Sequence, residues 1–350
     1  MNEKVKRLLE LELPEQRTEA WYLQRLKRLT ASEVSSCLFK TENVCKRYIE
    51  KYNIKMKFNP NIGINPYEKL EDYIIKKCKS SYELVPFPNS DATLWGKKYE
   101  PVATRLYTLK TGQKVHEFGL VPHHSLEWLA ASPDGITNDG TMLEIKCPMS
   151  RKIDTSIPPF YYWIQTQIQL ETCDLDKCDF FECEIKEISE KEFFDLDETK
   201  DYGIILKYPQ TQEQIKEKAD FQLIYPPDTD FTKDEWIDWA NKTNPGNLIK
   251  IYYIISKWNI TTIDRDQEWF NDVKEELKNV WNKIILFQNN RTLLDDYIKS
   301  IENIKNREFV EKFSSTFCLI STHDTESVKS YLDDVDDVDD VDDVDVKCLI

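Results

Sequence analysis

Three charged residues in the middle of the chain have types and spacing that suit cleavage of a phosphodiester bond. Asp134 follows a short apolar stretch, and a predicted strand over 141–147 then carries Glu144 and Lys146. Side chains alternate across a strand, so this pair shares one face while Ile145 points to the other face, into a core. Two carboxylates can hold a hard divalent cation, and a lysine can activate a water or stabilise charge on a phosphate. The pattern therefore predicts metal-dependent phosphodiester hydrolysis.

Each part of this pattern also has an ordinary structural interpretation. Asp134-Gly135 alone is typical of a turn, and a Glu-x-Lys pair alone is typical of an exposed cross-strand pair. The two parts are joined by Asn138-Asp-Gly, a sequence typical of a hairpin turn. Leu143 and Cys147 alternate with the charged pair, so the other face of the strand is predicted to be buried. In combination, these features favour a functional site.

Two further side chains are candidate neighbours of this group. Glu100 lies near the start of a predicted helix over 95–110, where it serves either as a third carboxylate or as a favourable charge for the helix dipole. Gln167 falls on the apolar stripe of a predicted helix over 160–172, and a buried amide needs hydrogen-bonding partners. A catalytic lysine, a water or a phosphate would provide them. The glutamines two positions before and after it lie on neighbouring faces, where they are open to solvation.

Length and composition limit the class of protein. The chain has 350 residues, of which 40% are hydrophobic, enough for one large domain or two smaller ones. No apolar run approaches the roughly 18–20 residues that span a bilayer, and the first residues do not resemble a signal-peptide core. Nine cysteines form no dense framework. We therefore predict an intracellular protein with no membrane partner.

The formal net charge of −16 disfavours binding of nucleic acid, but the charge is unevenly distributed. Nine aspartates lie in residues 333–350, whereas residues 1–90 carry a modest basic excess. A local patch matters more for phosphate binding than the net charge does. The Asp-Asp-Val repeat fits neither a helix nor a strand, so we predict a disordered acidic tail over 321–350.

The order of predicted elements indicates the fold class. A capping-box pattern predicts a helix start at Thr30-Ala-Ser-Glu33, and residues 40–85 have a helical, basic character. Strands are predicted over 115–121, 128–132, 141–147 and 179–188, and long amphipathic helices over 264–288 and 290–312. We predict an α/β (α+β) fold with a central mixed sheet flanked by helices, and extra C-terminal helices. The predicted division is a nuclease domain over 1–260, a helical extension over 261–320, and the tail.

Five blocks of this sequence, in this order, resemble the lambda-type phage exonucleases and the YqaJ-like viral recombinases of phages and large DNA viruses, members of the PD-(D/E)xK nuclease superfamily. The resemblance covers about residues 20–185. The blocks are Trp21-Tyr-Leu-Gln-Arg25 with Thr30-Ala-Ser32-Glu33, Trp95-Gly-Lys-Lys-Tyr-Glu100, Ser132-Pro-Asp134-Gly135, Leu143-Glu144-Ile145-Lys146-Cys147-Pro148, and Gln165-Thr-Gln167.

The resemblance implies a fold, an activity and a metal site. The fold is a restriction-endonuclease-like core, and the activity is a 5′→3′ exonuclease acting on double-stranded DNA ends in viral replication, recombination or repair. Mg²⁺ or Mn²⁺ would be held by Asp134, Glu144, the Ile145 carbonyl and Glu100, with Lys146 acting on the attacking water. The resemblance also implies a single-strand annealing protein as a partner, and a trimer.

The resemblance further implies a pocket for a 5′-phosphate. Arg25, Ser32 and Ser132 fall at three of the family's four phosphate-binding positions, Arg151 is one residue out of step with the fourth, and Gln165 is a further DNA-binding candidate. Arginine binds phosphate in a fork, and serines add neutral donors.

One departure from the family and two rival functions remain open. Where the phage enzymes have a further acidic residue, this chain has His123 and His124, which are metal ligands, phosphate donors or, in the interpretation we favour, loop residues. A cysteine series at Cys173, Cys178 and Cys183 admits an AddB-like nuclease with an iron–sulfur cluster, although free cysteines are often small buried hydrophobes. The other rival is a non-cleaving nucleic-acid or protein interaction module.

Overall fold

The computed structural model describes residues 1–82, 89–153, 157–197, 199–244 and 246–317. The chain forms two compact units, which meet in sequence at Arg291 and Thr292. Every predicted site residue belongs to the first unit, and the described part of the second is a single long helix. The predicted tail over 321–350 lies outside the described residues. The predicted domain boundaries at 260 and 320 stay predictions.

Helices and strands alternate through most of the described chain. The helices are α1 (Glu3–Leu9), α2 (Glu19–Leu26), α3 (Glu42–Tyr52), α4 (Leu70–Tyr82), α5 (Asp91–Thr111), α6 (Phe160–Cys173), α7 (Glu190–Asp195), α8 (Gln212–Lys216), α9 (Lys233–Thr243), α10 (Gln267–Gln288) and α11 (Arg291–Phe317), with a short 3₁₀ helix at Val34–Cys37. The strands are β1 (Leu29–Thr30), β2 (Phe39–Lys40), β3 (Asn59–Gly63), β4 (Val115–His116), β5 (Val121–Pro122), β6 (Leu129–Ala131), β7 (Gly135–Thr137), β8 (Thr141–Lys146), β9 (Lys177–Ile188), β10 (Asp201–Lys207), β11 (Leu223–Ile224) and β12 (Ile249–Asp264).

A seven-stranded sheet forms the centre of the first unit, in the order β11-β10-β12-β9-β8-β7-β4. β8 and β9 run parallel, and the other neighbouring strands run antiparallel. A parallel pair needs a crossover connection, which α6 supplies here. The prediction of a central mixed sheet flanked by helices is confirmed. Among the helices of the described ranges, none is both long enough and apolar enough to cross a bilayer.

The two faces of β8 pack against different helices. Leu143, Ile145 and Cys147 join a buried cluster that includes Tyr99 and Leu106 of α5. The intervening side chains of β8 project to the opposite face, where α6 covers them. The predicted alternation is therefore present, and both faces are covered. This arrangement rules out the interpretation of Glu-x-Lys as an ordinary exposed pair.

The prediction of a helix that starts at Thr30 is wrong. The Thr30 backbone N–H does donate to Glu33 Oε2, at 3.0 Å, as in a capping box. However, Leu29 and Thr30 pair with β6 as strand β1, and a 3₁₀ helix of four residues follows. Strand pairing outweighs the local helical signal at this point. The helical region predicted over 40–85 is likewise interrupted, because β3 lies between α3 and α4.

The helix predicted over 95–110 exists but begins earlier. Ser90 caps it by accepting from the Thr93 backbone N–H, so Pro101 lies in the middle of α5. Gly112 ends the helix, with a φ of 68° that favours glycine. The early start places Glu100 halfway along α5, away from the N-terminal end of the helix dipole.

Candidate active site

A tight hairpin brings Asp134 beside the strand that carries Glu144 and Lys146. β7 and β8 are joined by a turn in which Gly140 has a φ of 92°, as the Asn138-Asp-Gly pattern predicted. The Ile145 backbone N–H donates to Asp134 Oδ2 at 2.7 Å, across the hairpin. This bond fixes the aspartate opposite the centre of the motif. The three residues of the predicted catalytic core therefore lie together.

Glu144 is the most enclosed member of the group, with 1% of its surface exposed. One carboxylate oxygen accepts from Lys146 Nζ and from Gln165 Nε2, the latter at 2.6 Å. The other oxygen accepts from Gln169 Nε2 at 2.7 Å. Gln165 and Gln169 are one helical turn apart on α6, so both amides reach the same carboxylate. The buried charge is thus compensated by three donors, as a buried carboxylate requires.

Glu100 brings a third carboxylate to this region. Its Oε2 accepts from Arg17 Nη2 at 2.9 Å. Burial raises the pKa of Glu100, and the nearby Glu144 charge acts in the same direction, against the opposing effects of Arg17 and Lys146. Burial, Glu144 and Glu100 together raise the pKa of Asp134 well above its usual range. These shifts place the three acids within strong electrostatic range of one another.

Lys146 remains cationic within this acidic group. Burial alone would lower its pKa, but Glu144 and Asp134 outweigh that effect and raise it. Its Nζ also lies 4.8 Å from the ring centroid of Tyr162, which adds a cation–π contact. A fixed positive charge next to two carboxylates suits the stabilisation of negative charge on a reacting phosphate.

The predicted phosphate-binding residues Arg25, Ser32 and Ser132 form one connected group. Arg25 Nη2 lies 3.3 Å from Ser32 Oγ, and the guanidinium stacks 4.5 Å from the ring centroid of Trp21. Trp21 Nε1 donates to Ser132 Oγ at 3.0 Å. Ser132 in turn precedes Asp134 by two residues, and its carbonyl accepts from Gln169 Nε2 at 3.4 Å. A side-chain network therefore connects the group to the acidic cluster.

Arg25 has support from a buried ion pair that the sequence did not indicate. Lys77 Nζ donates to both Glu33 oxygens, at 2.9 and 3.0 Å, and to the Arg25 carbonyl at 2.7 Å. Glu33 Oε1 also lies 3.6 Å from Arg25 Nη2. Burial tends to raise the pKa of Glu33, but Lys77 and Arg25 lower it to about 2. The Glu33 carboxylate therefore stays ionised beside the predicted phosphate-binding residues.

One predicted site residue, Gln167, lies elsewhere, whereas Arg151 lies on the Lys146 side of the site. Gln167 is on the far side of α6: its Nε2 donates to the Asp264 carbonyl at 2.9 Å, and its Oε1 accepts from the Asp266 backbone N–H at 2.7 Å. The backbone at the start of α10 therefore provides the partners that we expected from the site, whereas the buried Gln169, predicted to be solvated, reaches Glu144 instead. Among described residues, Arg151 pairs with Glu182 and lies 5.9 Å from the Tyr162 ring, on the Lys146 side.

Glu182 is a further residue of the site, and the sequence did not indicate it. It is fully buried on β9, and the parallel register pairs its Cα with that of Lys146. Side chains at paired positions share a face, so Glu182 adds a fourth carboxylate next to the lysine. Glu182 is adjacent to Cys183 on β9, so the two side chains point to opposite faces of the sheet. The sequence does not give the register between β8 and β9 that places Glu182 beside Lys146.

The structure also bears on the remaining histidines and cysteines. Nδ1 of the buried His123 accepts from two loop backbone N–H groups, both at 3.1 Å, so the loop itself uses this side chain. Cys178 and Cys183 are five residues apart on β9 and therefore point to opposite faces of the sheet. That placement does not suit shared ligation of an iron–sulfur cluster.

The site has oxygen atoms that could bind a metal ion, but they are not yet arranged as a coordination site. Carboxylates at Asp134, Glu144 and Glu100, with the Ile145 carbonyl, are the oxygen donors that Mg²⁺ or Mn²⁺ prefers. Within the described ranges, no three His, Cys, Asp or Glu side chains are already arranged at ligating positions. Each carboxylate is instead held by a protein donor. A cleft of about 880 Å³, bordered by Arg17, Glu100 and Asp134, gives access to the cluster.

Comparison with known proteins points to one family. The model of the YqaJ-like viral recombinase domain matches residues 20–176. An uncharacterised protein of Acanthamoeba polyphaga mimivirus is 26% identical in an alignment of 344 positions, which covers 86% of this chain. The alignment covers 58% of that relative, so the chain spans less than two thirds of its length.

Three solved structures share features with the chain. Two are crystal structures of an alkaline exonuclease from Laribacter hongkongensis, one of them in complex with dAMP; each is 20% identical with a TM-score of 0.43 and covers 79% of this chain and 100% of that chain. A phage-related exonuclease from Haemophilus somnus is 15% identical with a TM-score of 0.36, covering 75% of this chain and 98% of that chain. The family model matches residues 20–176, the region in which the sequence motifs resemble the YqaJ-like viral recombinases.

Proposed function

We propose that this protein is a metal-dependent DNA exonuclease that shortens one strand of a duplex from its 5′ end. The observation that carries the proposal is the cluster of Asp134, Glu144 and Lys146 at the open end of one hairpin, with the charge of Glu100 acting on Asp134. The mutual repulsion of the acids in a half-buried setting is a cost that a divalent cation would relieve. Their oxygens and the Ile145 carbonyl would hold it.

The chain's own residues have separate roles in this scheme. A bound divalent ion would supply charge neutralisation at the phosphate and a stronger nucleophile from water at neutral pH. Lys146 keeps its positive charge beside the scissile phosphate, against the charge that develops in the transition state. Gln165 and Gln169 hold the Glu144 carboxylate in one orientation, so that it does not need to reorganise during the reaction.

The direction of cleavage follows from the Arg25 group. Its guanidinium and the hydroxyls of Ser32 and Ser132 supply a forked cation and two neutral donors, a set that fits a terminal phosphate. Ser132 lies two residues from Asp134, so a 5′-phosphate held there would place the first internucleotide linkage near the acidic cluster. Arg151, paired with Glu182, is assigned to the DNA backbone beyond that point.

The biological setting is viral DNA replication, recombination or repair. The description of the matched family and the mimivirus relative support this setting. A single-strand annealing partner and a trimeric assembly remain predictions from the resemblance. A non-cleaving module is the weaker alternative, because it gives no reason to gather several carboxylates around one lysine.

The test is a degradation assay on linear duplexes labelled at either the 5′ or the 3′ end. We expect loss of the 5′ label as mononucleotide at once, with Mg²⁺ or Mn²⁺ present, and no reaction in EDTA. Glu144→Gln and Lys146→Met should each abolish cleavage while duplex binding is retained, and Lys186→Met, an exposed lysine of β9, is the matched control. Cleavage at the wild-type rate by either site variant would disprove the assignment.

A further inference from the structure

Three tyrosine rings form a continuous path from the solvent to the catalytic lysine. Tyr67 lies 5.8 Å from Tyr161, edge to face, and Tyr161 lies 4.2 Å from Tyr162. The Tyr162 ring centroid is 4.8 Å from Lys146 Nζ. We refer to Tyr67, Tyr161 and Tyr162 as the tyrosine ladder. None of the roles assigned above uses the outer two rings.

The outer ring of the ladder is exposed but firmly placed. Tyr67 has 77% of its surface exposed, which is unusual for so large an apolar ring. Its backbone N–H donates to Asn65 Oδ1 at 2.9 Å, and Asn65 is bonded to Ser35 and Ser36 of the 3₁₀ helix. The loop is therefore anchored on both its backbone and its side chain. A fixed, uncovered ring is a binding surface prepared in advance, at little entropic cost.

The electrostatic setting selects the occupant. Arg151 lies 5.9 Å from the Tyr162 ring, so the inner end of the ladder has two cations within reach of one aromatic face. Burial, with the neighbouring hydroxyls of Tyr162 and Tyr67, raises the pKa of Tyr161, so its ring stays neutral. A row of aromatic faces with two cations at its inner end matches a nucleotide chain, whose bases stack and whose phosphates carry the negative charge.

We propose that the tyrosine ladder binds unpaired bases of single-stranded DNA next to the scissile end. This inference deepens the proposed function and rests on it. A duplex end must open before one strand can enter a buried active site, and stacking on Tyr67 and Tyr161 stabilises the opened bases. Every base has a π-face, so the binding is tolerant of sequence. The ladder thus favours frayed ends over fully paired ones.

The experiment measures binding in EDTA, so that no DNA is hydrolysed. The probe is a 5′-phosphorylated duplex with three unpaired 5′ nucleotides, used with normal bases or with abasic sites in those positions. We expect Tyr67→Ala to weaken binding of the normal probe about tenfold and of the abasic probe hardly at all. Tyr67→Trp should restore binding, and Tyr208→Ala, an exposed tyrosine after β10, should change neither affinity.

The outcomes separate this inference from the proposed function. Equal loss on the normal and abasic probes, or no loss on either, would overturn the ladder even if the wild-type protein degrades duplexes. The first result would assign Tyr67 to the DNA backbone or to the shape of the loop, and the second to another partner such as a protein. Selective loss on the normal probe in a protein that cleaves nothing would support the ladder and overturn the exonuclease proposal.

Discussion

Replacing Lys77 with methionine should both destabilise the first unit and weaken its hold on a DNA end. Only 2% of Lys77 is exposed, and its ammonium bonds to Glu33 and to the carbonyl of Arg25. Methionine keeps a similar length of apolar side chain but removes all three donors. Among the described residues, the substitution therefore leaves Arg25, at 3.6 Å, as the remaining cationic partner of the Glu33 carboxylate.

The two members of the pair give different impressions of its strength. The Glu33 pKa falls from 4.5 to about 2, which at ~1.4 kcal/mol per pKa unit corresponds to about 3 kcal/mol in favour of its ionised form. Burial lowers the pKa of Lys77, so the lysine offsets part of that gain. The intact pair thus contributes little net stability. Removing one partner is costly all the same, because the other charge remains buried, and such losses are ~3–5 kcal/mol.

The direction of the pH dependence follows from the same group. The pKa of Glu33 is lower in the folded chain than in the unfolded chain, so its contribution is present above about pH 4.5 and is lost as the pH falls towards 2. In Lys77→Met the folded-state pKa rises towards or above the unfolded value. We therefore expect the wild type to lose more stability than the variant between pH 5 and pH 3.

Urea unfolding followed by tryptophan fluorescence at pH 7 and pH 3.5 measures the loss of stability and its pH dependence. The control is Lys76→Met. Lys76 precedes Lys77 on α4, is half-exposed and pairs with Glu68. Surface pairs contribute less than about 1 kcal/mol, so the control should unfold close to the wild type. A loss of about 3 kcal/mol for Lys77→Met at pH 7 is expected. Equal unfolding free energies for the two variants would refute the reasoning.

Three further predictions concern Arg25, two glutamines of α6 and the acidic tail. Arg25→Ala should reduce degradation of 5′-phosphorylated duplexes at least ~10-fold more than of 5′-hydroxyl duplexes, as charge-assisted phosphate bonds are strong; equal losses would remove the phosphate pocket. Gln169→Leu should lower kcat with a modest change in KM, whereas Gln167→Leu should lower the urea midpoint and leave kcat nearly intact; the reverse pattern would restore Gln167 to the site. Deleting residues 333–350 should strengthen DNA binding at low salt and have less effect at high salt, because the deletion removes nine aspartates; an unchanged Kd would mean that the tail does not compete with DNA.

The proximity of Asp134, Glu144 and Lys146 was predictable from the sequence because it depends on local geometry. The alternation of β8 separates Glu144 from Ile145, and a three-residue hairpin loop brings β8 back beside Asp134. Neither feature needs information from distant parts of the chain. The predicted phosphate-binding residues were recognisable only through the family motifs. Arg25 and Ser132 are connected through Trp21, which is more than a hundred residues from the serine in sequence.

The side of α6 that faces the site could not be read from its periodicity. Eleven of its fourteen residues are buried, so the helix has no polar face with which to orient it. Gln167 lies among the largest apolar residues and was therefore assigned to the site, but those residues pack towards α10 and α3. Gln165 and Gln169 lie on the side that covers β8. Only the position of the sheet distinguishes the two.

That orientation depends on a segment well beyond the family match. Gln167 is bonded to the backbone at Asp264 and Asp266, where β12 ends and α10 begins. Asp266 also caps α10 by accepting from the Trp269 backbone N–H and pairs with Arg47 of α3. A rotation of α6 that broke these bonds would carry Gln165 and Gln169 away from Glu144. Trp163 of α6 also packs against Trp269 of α10, so the segment after 176 keeps α6 in place even when the Gln167 bonds alone are lost.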